Sequence, residues 1–232
     1  RGVVDELRRH LRAQYIRVFS EVEPEPDEAT IRRGVALLDE SPPDLLVAIG
    51  GGSVIDAAKA IRLFYEHPET SLEELALPFL DPRKRMAEYP QDPHTLRLVA
   101  VPTTSGTGSE VSPAAVLTVG DRKETLVDYS LVPDMAIVDP LLTLSMPRSL
   151  TADTGIDALT HSLEAAASIF ASPYTDAFCV QAARLIFEAL PRVFDDPDDL
   201  DARTDMANAA TLAGLAFSNA FVGTNHALAH AV

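Results

Sequence analysis

The chain has 232 residues, of which 47% are hydrophobic and 23% are charged, and this balance excludes general disorder and indicates a globular protein with a buried core. Lysine and arginine total 19 against 35 aspartates and glutamates, which gives a net charge of -16. A field of that sign repels phosphate backbones, so we expect no nucleic-acid partner.

The first part of the chain, which we assign as a domain over residues 1–145, alternates short apolar runs with helical patterns. Continuous apolar runs that end in glycine or proline are typical of buried parallel strands. Strands and helices in alternation favour an α/β sheet with right-handed crossovers. The predicted strands lie at 44–50, 96–102 and 135–139, with a weaker fourth at 16–20, and the predicted helices lie at about 27–40 and 53–66.

The second part, residues 146–232, shows no strand pattern, and its apolar residues recur at helical spacing. An α/β domain followed by an all-helical domain implies a cleft between the two, and such clefts are common ligand sites. The predicted helices lie at roughly 149–169, 173–194 and 199–221.

A first glycine-rich turn follows the strand predicted at 44–50 and contains Gly51, Gly52 and Ser53. Glycines let the backbone turn sharply and approach a ligand closely. We expect Ser53 to cap the next helix, with Asp56 as its capping-box partner. The free N–H groups would then face an anion, so the turn is a candidate pyrophosphate cradle, with an ordinary tight turn as the alternative.

A second glycine-rich loop, residues 103–110, directly follows the strand predicted at 96–102 and is rich in hydroxyl side chains. Open α/β sheets bind ligands at the carboxyl ends of their strands. A solvated loop is the alternative interpretation, but two glycine-rich loops on one sheet favour a nucleotide-like ligand.

Two pairs of metal-ligand residues occur at a spacing of four. Asp157 and His161 form one pair, and His226 and His230 form the other. Residues i and i+4 share one face of a helix, and carboxylate oxygen with neutral imidazole suits Fe(II) or Zn(II). The alternatives are an exposed ion pair and two hydrogen-bonded core histidines. Because both pairs lie among alanines and leucines, we favour a metal site.

Cys179 is the only cysteine, which excludes an internal disulfide and favours a reducing, cytoplasmic compartment. No apolar run reaches the roughly 18 residues that cross a bilayer, and no signal-peptide pattern opens the chain, so we expect no membrane partner. The chain begins and ends abruptly, and we expect it to be truncated at both ends.

Motifs in a recognisable order extend over nearly the whole chain. One set lies at 50–53, 102–110, 134–140, 155–161 and 226–230, and a second set at 65–70, 74–85 and 126–134. The first set resembles the iron-dependent (group III) alcohol dehydrogenase family. The second resembles the C-terminal alcohol dehydrogenase module of bifunctional aldehyde-alcohol dehydrogenases.

The resemblance implies a dinucleotide-binding α/β domain followed by an all-helical metal-binding domain, a dehydroquinate synthase-like architecture. It implies NAD in the cleft and Fe(II), with Zn(II) as the alternative metal. Asp157, His161 and His226 match metal ligands, and His230 matches a histidine that relays protons. The implied cofactor contacts are Gly51, Gly52 and Ser53 at the pyrophosphate, Thr103, Thr104 and Ser112 at the ribose and nicotinamide, and Lys123.

The resemblance also implies reversible hydride transfer between NAD(H) and a small, acetaldehyde-like aldehyde or its primary alcohol. The alternatives are a glycerol dehydrogenase, a dehydroquinate synthase-like lyase, or a non-catalytic piece of a filament. We expect a homo-oligomer, with filaments in a longer parent. The family's fourth metal ligand would lie beyond His230, and the first strand of its nucleotide domain would precede residue 1.

Overall fold

The structure is a computed structural model that describes residues 2–76, 88–90 and 92–231. Its helices are α1 (Gly2–His10), α2 (Glu28–Glu40), α3 (Gly52–Glu66), α4 (Leu72–Ala76), α5 (Arg148–Ala167), α6 (Pro173–Asp195), α7 (Leu200–Ala220) and α8 (Thr224–Ala231). Its strands are β1 (Leu45–Gly50), β2 (Arg97–Pro102), β3 (Ala114–Val119), β4 (Arg122–Val127) and β5 (Met135–Ala136). Most of the motif at 74–85 lies outside the described residues.

Three parallel strands form a sheet in the order β1, β2, β5. β1 and β2 pair along their full length, with Ala48 opposite Ala100, and the short β5 pairs with β2. The predictions at 44–50 and 96–102 are therefore confirmed. The strand predicted at 135–139 is shorter than expected, because residue 140 is a proline that begins a 3-10 turn.

Two differences from the predicted elements concern strands. Residues 16–20 form no strand: no described strand pairs with them, and Val18 stays 47% exposed. The antiparallel pair of β3 and β4 was not expected, and it turns at Gly120, whose φ is 60°. Its buried residues Leu117 and Leu126 complete the core above α3.

Helices α5, α6 and α7 pack against one another and confirm the three predicted helical blocks. Their shared core is made of alanines with a few larger apolar residues, such as Ile186 and Val193. Small side chains let helix backbones approach closely, so the alanine-rich composition of α7 suits its central position. Among the described residues, no helix is long and apolar enough to span a membrane.

The helical part packs onto the α/β part through backbone contact. Gly108 has a φ of 62°, in the left-handed region that favours glycine, and its Cα faces Gly214 of α7. A Cβ on Gly214 would lie 3.0 Å from Gly108 Cα, and one on Gly108 would lie 2.6 Å from Gly214 Cα. A side chain at either position would push the two parts of the molecule away from each other.

Buried ionic contacts fix α3 to the strands that follow it. Arg62, which is 1% exposed, donates to Asp134 at 3.0 Å and to the carbonyl of Ser130 at 2.7 Å. Asp134 also accepts the backbone N–H of Leu98 at 2.8 Å. These bonds join α3 to the segment that leads into β5.

Glu66, the last residue of α3, holds the start of β2. Its carboxylate accepts the backbone N–H groups of Thr95 at 2.6 Å and Leu96 at 2.8 Å, and it contacts the ring of His94. Burial alone would raise the pKa of Glu66, but the hydrogen bonds from Leu96, His94 and Thr95 outweigh it and lower the pKa to about 2.

We expect Glu66→Gln to make unfolding easier by about 2 kcal/mol at neutral pH, measured by urea denaturation. The folded pKa lies below the unfolded one, so the carboxylate stabilises the fold above pH 4.5, and this contribution disappears as the pH falls from 4.5 toward 2. The variant should therefore lose less stability than the wild type over that interval. Glu40→Gln, the same change at an exposed position, is the control. Equal acid sensitivity in Glu66→Gln and the wild type would contradict this assignment.

Candidate metal centre

Helix α5 places Asp157 and His161 on one face, one turn apart. Oδ1 of Asp157 lies 3.8 Å from Nε2 of His161. The imidazole is only 9% exposed, whereas the carboxylate is 39% exposed at the mouth of the site. The pair is therefore not the exposed helix ion pair that the sequence left open as an alternative.

His226 reaches the same place from the other end of the helical part. A short connection after α7 leads into α8, and this brings Nε2 of His226 to 3.6 Å from Oδ1 of Asp157. The His226 ring also stacks on His161, with a centroid distance of 4.5 Å. One ligand atom from each of Asp157, His161 and His226 lies within 4.8 Å of the others.

The three side chains fit a first-row divalent cation. Bonds of about 2.1 Å to one ion place adjacent ligand atoms roughly 3 to 3.5 Å apart, so small side-chain movements would suffice here. One carboxylate and two imidazoles form a donor set that Fe(II) and Zn(II) both accept.

Glu164 orients the imidazole of His226. Its Oε2 hydrogen-bonds Nδ1 of His226, and its Oε1 accepts the backbone N–H of Asn225 at 2.7 Å. Hydrogen bonding with Asp157 is the largest contribution that raises the pKa of His226, and Glu164 raises it further against the effect of burial. A carboxylate on Nδ1 leaves Nε2 as the ligand atom, an arrangement common around metal-bound histidine.

Glu164 was not among the residues predicted from the sequence, although a signal for it was present. The residue lies three positions after His161 on α5, so it shares the face that carries Asp157 and His161. A carboxylate on the ligand face of the helix is a natural candidate to support a histidine from elsewhere in the chain.

The surroundings of His161 favour its neutral form. Burial lowers its pKa to about 4, with Asp157 acting in the opposite direction. Its ring lies 4.5 Å from that of Phe217. A weak interaction with the backbone of Gly106 also raises the pKa of His161. In the part of the chain that the structure describes, the buried Nδ1 atom of His161 has no hydrogen-bond partner at ordinary geometry. Neutral imidazole is the form that binds metals.

The first glycine-rich turn differs from the expected capping box. Gly51, not Ser53, is the N-cap of α3, and no side chain caps the helix. The hydroxyl of Ser53 instead accepts the backbone N–H of Glu25 at 3.3 Å. The carboxylate of Asp56 is buried and accepts the backbone N–H of Val116 at 3.0 Å. This hydrogen bond replaces the expected bond to the N-terminus of α3.

The second glycine-rich loop lies against both the first turn and α5. The N–H of Thr103 donates to the carbonyl of Gly50 at 2.9 Å. A Cβ on Gly51 would lie 3.3 Å from Thr104, and one on Gly106 would lie 2.5 Å from Thr154 of α5. The glycines of both loops therefore lie side by side at the carboxyl ends of β1 and β2, next to the metal-ligand cluster.

The remaining predicted site residues are placed as follows. Ser112 is buried, and its hydroxyl accepts from Lys59 at 3.3 Å. Lys123, on β4, forms an ion pair with Glu25. His230 lies on α8, one turn after His226, and its side chain lies outside what the structure describes. The roles of Ser112, Lys123 and His230 remain predictions.

Two glycine-rich loops beside a carboxylate and two imidazoles form the architecture expected of a protein that binds a metal ion next to a nucleotide. The chain matches the family described as iron-containing alcohol dehydrogenase over residues 1–140. It matches the Fe-containing alcohol dehydrogenase family, C-terminal, over residues 151–232. The chain therefore belongs to the iron-containing alcohol dehydrogenase family.

The chain is similar to several named dehydrogenases and to a reductase. The chain is 46% identical over 232 residues to aldehyde-alcohol dehydrogenase 2 of Entamoeba histolytica, a match covering 99% of this chain and 26% of that protein. The structure of an iron-containing alcohol dehydrogenase from Thermococcus thioreducens matches with a TM-score of 0.90 at 38% identity, covering 99% of this chain and 60% of that one.

A third match has a bound cofactor in its description. Sulfoacetaldehyde reductase from Bifidobacterium kashiwanohense, in complex with NAD+, matches with a TM-score of 0.87 at 32% identity, covering 97% of this chain and 58% of that one. The chain thus spans about a quarter of the Entamoeba relative and about 60% of these two structures.

We expect Glu164→Gln to weaken Zn(II) binding by about tenfold, because an amide supports the Nδ1 proton of His226 less strongly than a carboxylate. Competition with a chromophoric chelator measures the affinity. Glu188→Gln, the same change at an exposed position on α6, should leave it unchanged. Unaltered affinity in Glu164→Gln would show that the carboxylate does not support the ligand.

Proposed function

We propose that this chain carries the metal and cofactor sites of an NAD(H)-linked alcohol dehydrogenase that interconverts a small aldehyde and its primary alcohol. The observation that carries the proposal is the cluster of Asp157, His161 and His226, with Nε2 of each histidine within 3.8 Å of the carboxylate. The second support is the glycine-rich loop packed against the helix that bears the first two ligands.

Each part of the site has a task in this reaction. Asp157, His161 and His226 would hold Fe(II), or Zn(II), which when bound polarises an aldehyde oxygen and lowers the pKa of an alcohol. Glu164 keeps His226 oriented, so that the ligand geometry does not depend on a mobile side chain.

The two glycine-rich loops would position the cofactor. Gly51 is the N-cap of α3 and Gly52 its first residue, and the free backbone N–H groups at the start of a helix suit a pyrophosphate. Thr103 and Thr104 lie on the neighbouring loop and contact the first turn at Gly50 and Gly51. A dinucleotide held by these two loops would supply or accept the hydride, and positioning it against the substrate is the main contribution of the protein to hydride transfer.

We assign the proton relay to His230. It follows His226 by one helical turn, and imidazole is a side chain that can accept and donate protons near neutral pH. NAD is the proposed cofactor, and the sulfoacetaldehyde reductase similar to this chain is described in complex with NAD+.

The proposal is tested by following NADH absorbance with the chain loaded with Fe(II) under anaerobic conditions. We expect NADH oxidation with acetaldehyde and none without a carbonyl substrate. Oxidation with dihydroxyacetone alone would favour the glycerol dehydrogenase alternative. Bound metal and bound NADH without any turnover of either substrate would contradict the proposed activity.

A pair of variants on α5 makes the test specific for the site. Asp157→Asn should lose bound metal and NADH oxidation together, because the amide is a poor ligand for a divalent cation. Asp153→Asn is the same change at an exposed position one turn earlier, and it should retain both. Metal content is measured by atomic emission, and full metal retention by Asp157→Asn would refute the ligand assignment.

A further inference from the structure

Lys59 is a fully buried cation on α3, beneath the second glycine-rich loop. Its exposed fraction is 0%. Its Nζ donates to the carbonyls of Ala114 at 2.6 Å and Ser112 at 2.9 Å, and to the hydroxyl of Ser109 at 3.1 Å. These acceptors all belong to residues 109–114, which end the loop and lead into β3, so the ammonium group holds this segment against α3.

Two buried carboxylates complete the network. Oδ1 of Asp56 lies 3.9 Å from the ammonium nitrogen and accepts the hydroxyl of Ser109. Glu110 is 3% exposed and accepts the hydroxyl of Thr211, on α7, at 2.7 Å. The network therefore connects three elements: α3, the end of the glycine-rich loop, and the helix that faces the metal centre.

The loop that this network holds contacts both candidate binding sites. Thr107 packs on the first glycine-rich turn so closely that a Cβ on Gly52 would lie 2.8 Å from its methyl carbon. Gly106 packs on Thr154, which precedes the ligand Asp157 by three residues on α5. A shift of the loop would change the distance between the two sites.

We propose that Lys59 is a positioning residue that, through Ser109 and Ser112, sets the conformation of residues 103–108 and with it the placement of the cofactor against the metal centre. This inference rests on the function proposed above. None of the buried atoms in the network needs to touch the cofactor, because the loop transmits their effect.

A matched control separates this role from a general contribution to stability. Arg62 lies one turn later on the same helix, is equally buried, and donates to Asp134 and Ser130, which belong to a different segment of the chain. It makes no hydrogen bond to residues 103–112 in the part of the chain that the structure describes. Loss of either cation should lower stability, but only the loss of Lys59 should release the loop.

The test compares Lys59→Met, Ser109→Ala and Arg62→Met with the wild type. Amide hydrogen exchange followed by mass spectrometry reports the loop directly and needs no ligand. NADH affinity, measured by fluorescence, reports the cofactor site. Thermal unfolding shows how far each variant is destabilised, and Ser109→Ala provides a milder change where Lys59→Met does not fold.

In Lys59→Met and Ser109→Ala we expect peptides covering residues 103–110 to exchange at least about tenfold faster, whereas those covering 130–137 stay protected. NADH affinity should fall by about tenfold in Lys59→Met, because cofactor binding would then have to order a loop that the wild type already holds in place. Arg62→Met should show the reverse exchange pattern and near wild-type NADH affinity.

Uniform acceleration of exchange in all three variants would overturn the inference, since Lys59 would then be only a stabilising residue. Faster loop exchange with unchanged NADH affinity would also overturn it. A wild type that binds no NADH would refute the proposed function instead, and the exchange pattern alone would then decide whether Lys59 sets the loop conformation.

Discussion

The close packing of residues 103–108 between the two parts of the molecule is the constraint on which the site depends. Gly106 lies against Thr154 and Gly108 against Gly214, at distances that leave no room for a side chain. The loop is therefore held by backbone contacts on the helical part. Because the same loop lies beside the first glycine-rich turn, the positions of α5 and α3 are fixed relative to each other at the site.

The electrostatics of the cluster are arranged for a cation. Asp157 and Glu164 bring two carboxylates to one place, and hydrogen bonding with Asp157 first, then with Glu164, together with their charge, raises the pKa of His226. His161 behaves in the opposite way, since burial keeps its ring neutral. A divalent ion held by these side chains would offset the negative charge of the two carboxylates.

The sequence reveals the local parts of the site and leaves its assembly to the tertiary fold. The pairing of Asp157 with His161 can be predicted from helical spacing alone. The position of Glu164 can be predicted in the same way, because it lies one turn further along that face of α5. The approach of His226 depends on how α7 and α8 return toward α5, which helical periodicity does not encode. The sheet strands β1 and β2 could be predicted, because continuous apolar runs distinguish buried parallel strands.

The capping-box prediction was wrong because Asp56 bonds to residues that are distant in the sequence and not to the start of its own helix. Asp56 has the spacing of a capping-box residue for Ser53, but it lies buried beside Lys59 and accepts the hydroxyl of Ser109, 53 positions away. The hairpin of β3 and β4 begins with two alanines, so its alternation of apolar and polar residues is weak as a strand signal.

Burying the ammonium group of Lys59 costs free energy, and this cost explains how the group can fix the loop above it. Removing an ammonium group from water is unfavourable unless hydrogen bonds replace its hydration, and Lys59 finds its acceptors on the chain segment that ends the loop. An apolar side chain there would fill the space without favouring any one loop conformation, whereas the ammonium group is satisfied only when Ser109, Ser112 and Ala114 lie where the structure has them. The burial of a cation at this position therefore selects one geometry for the loop.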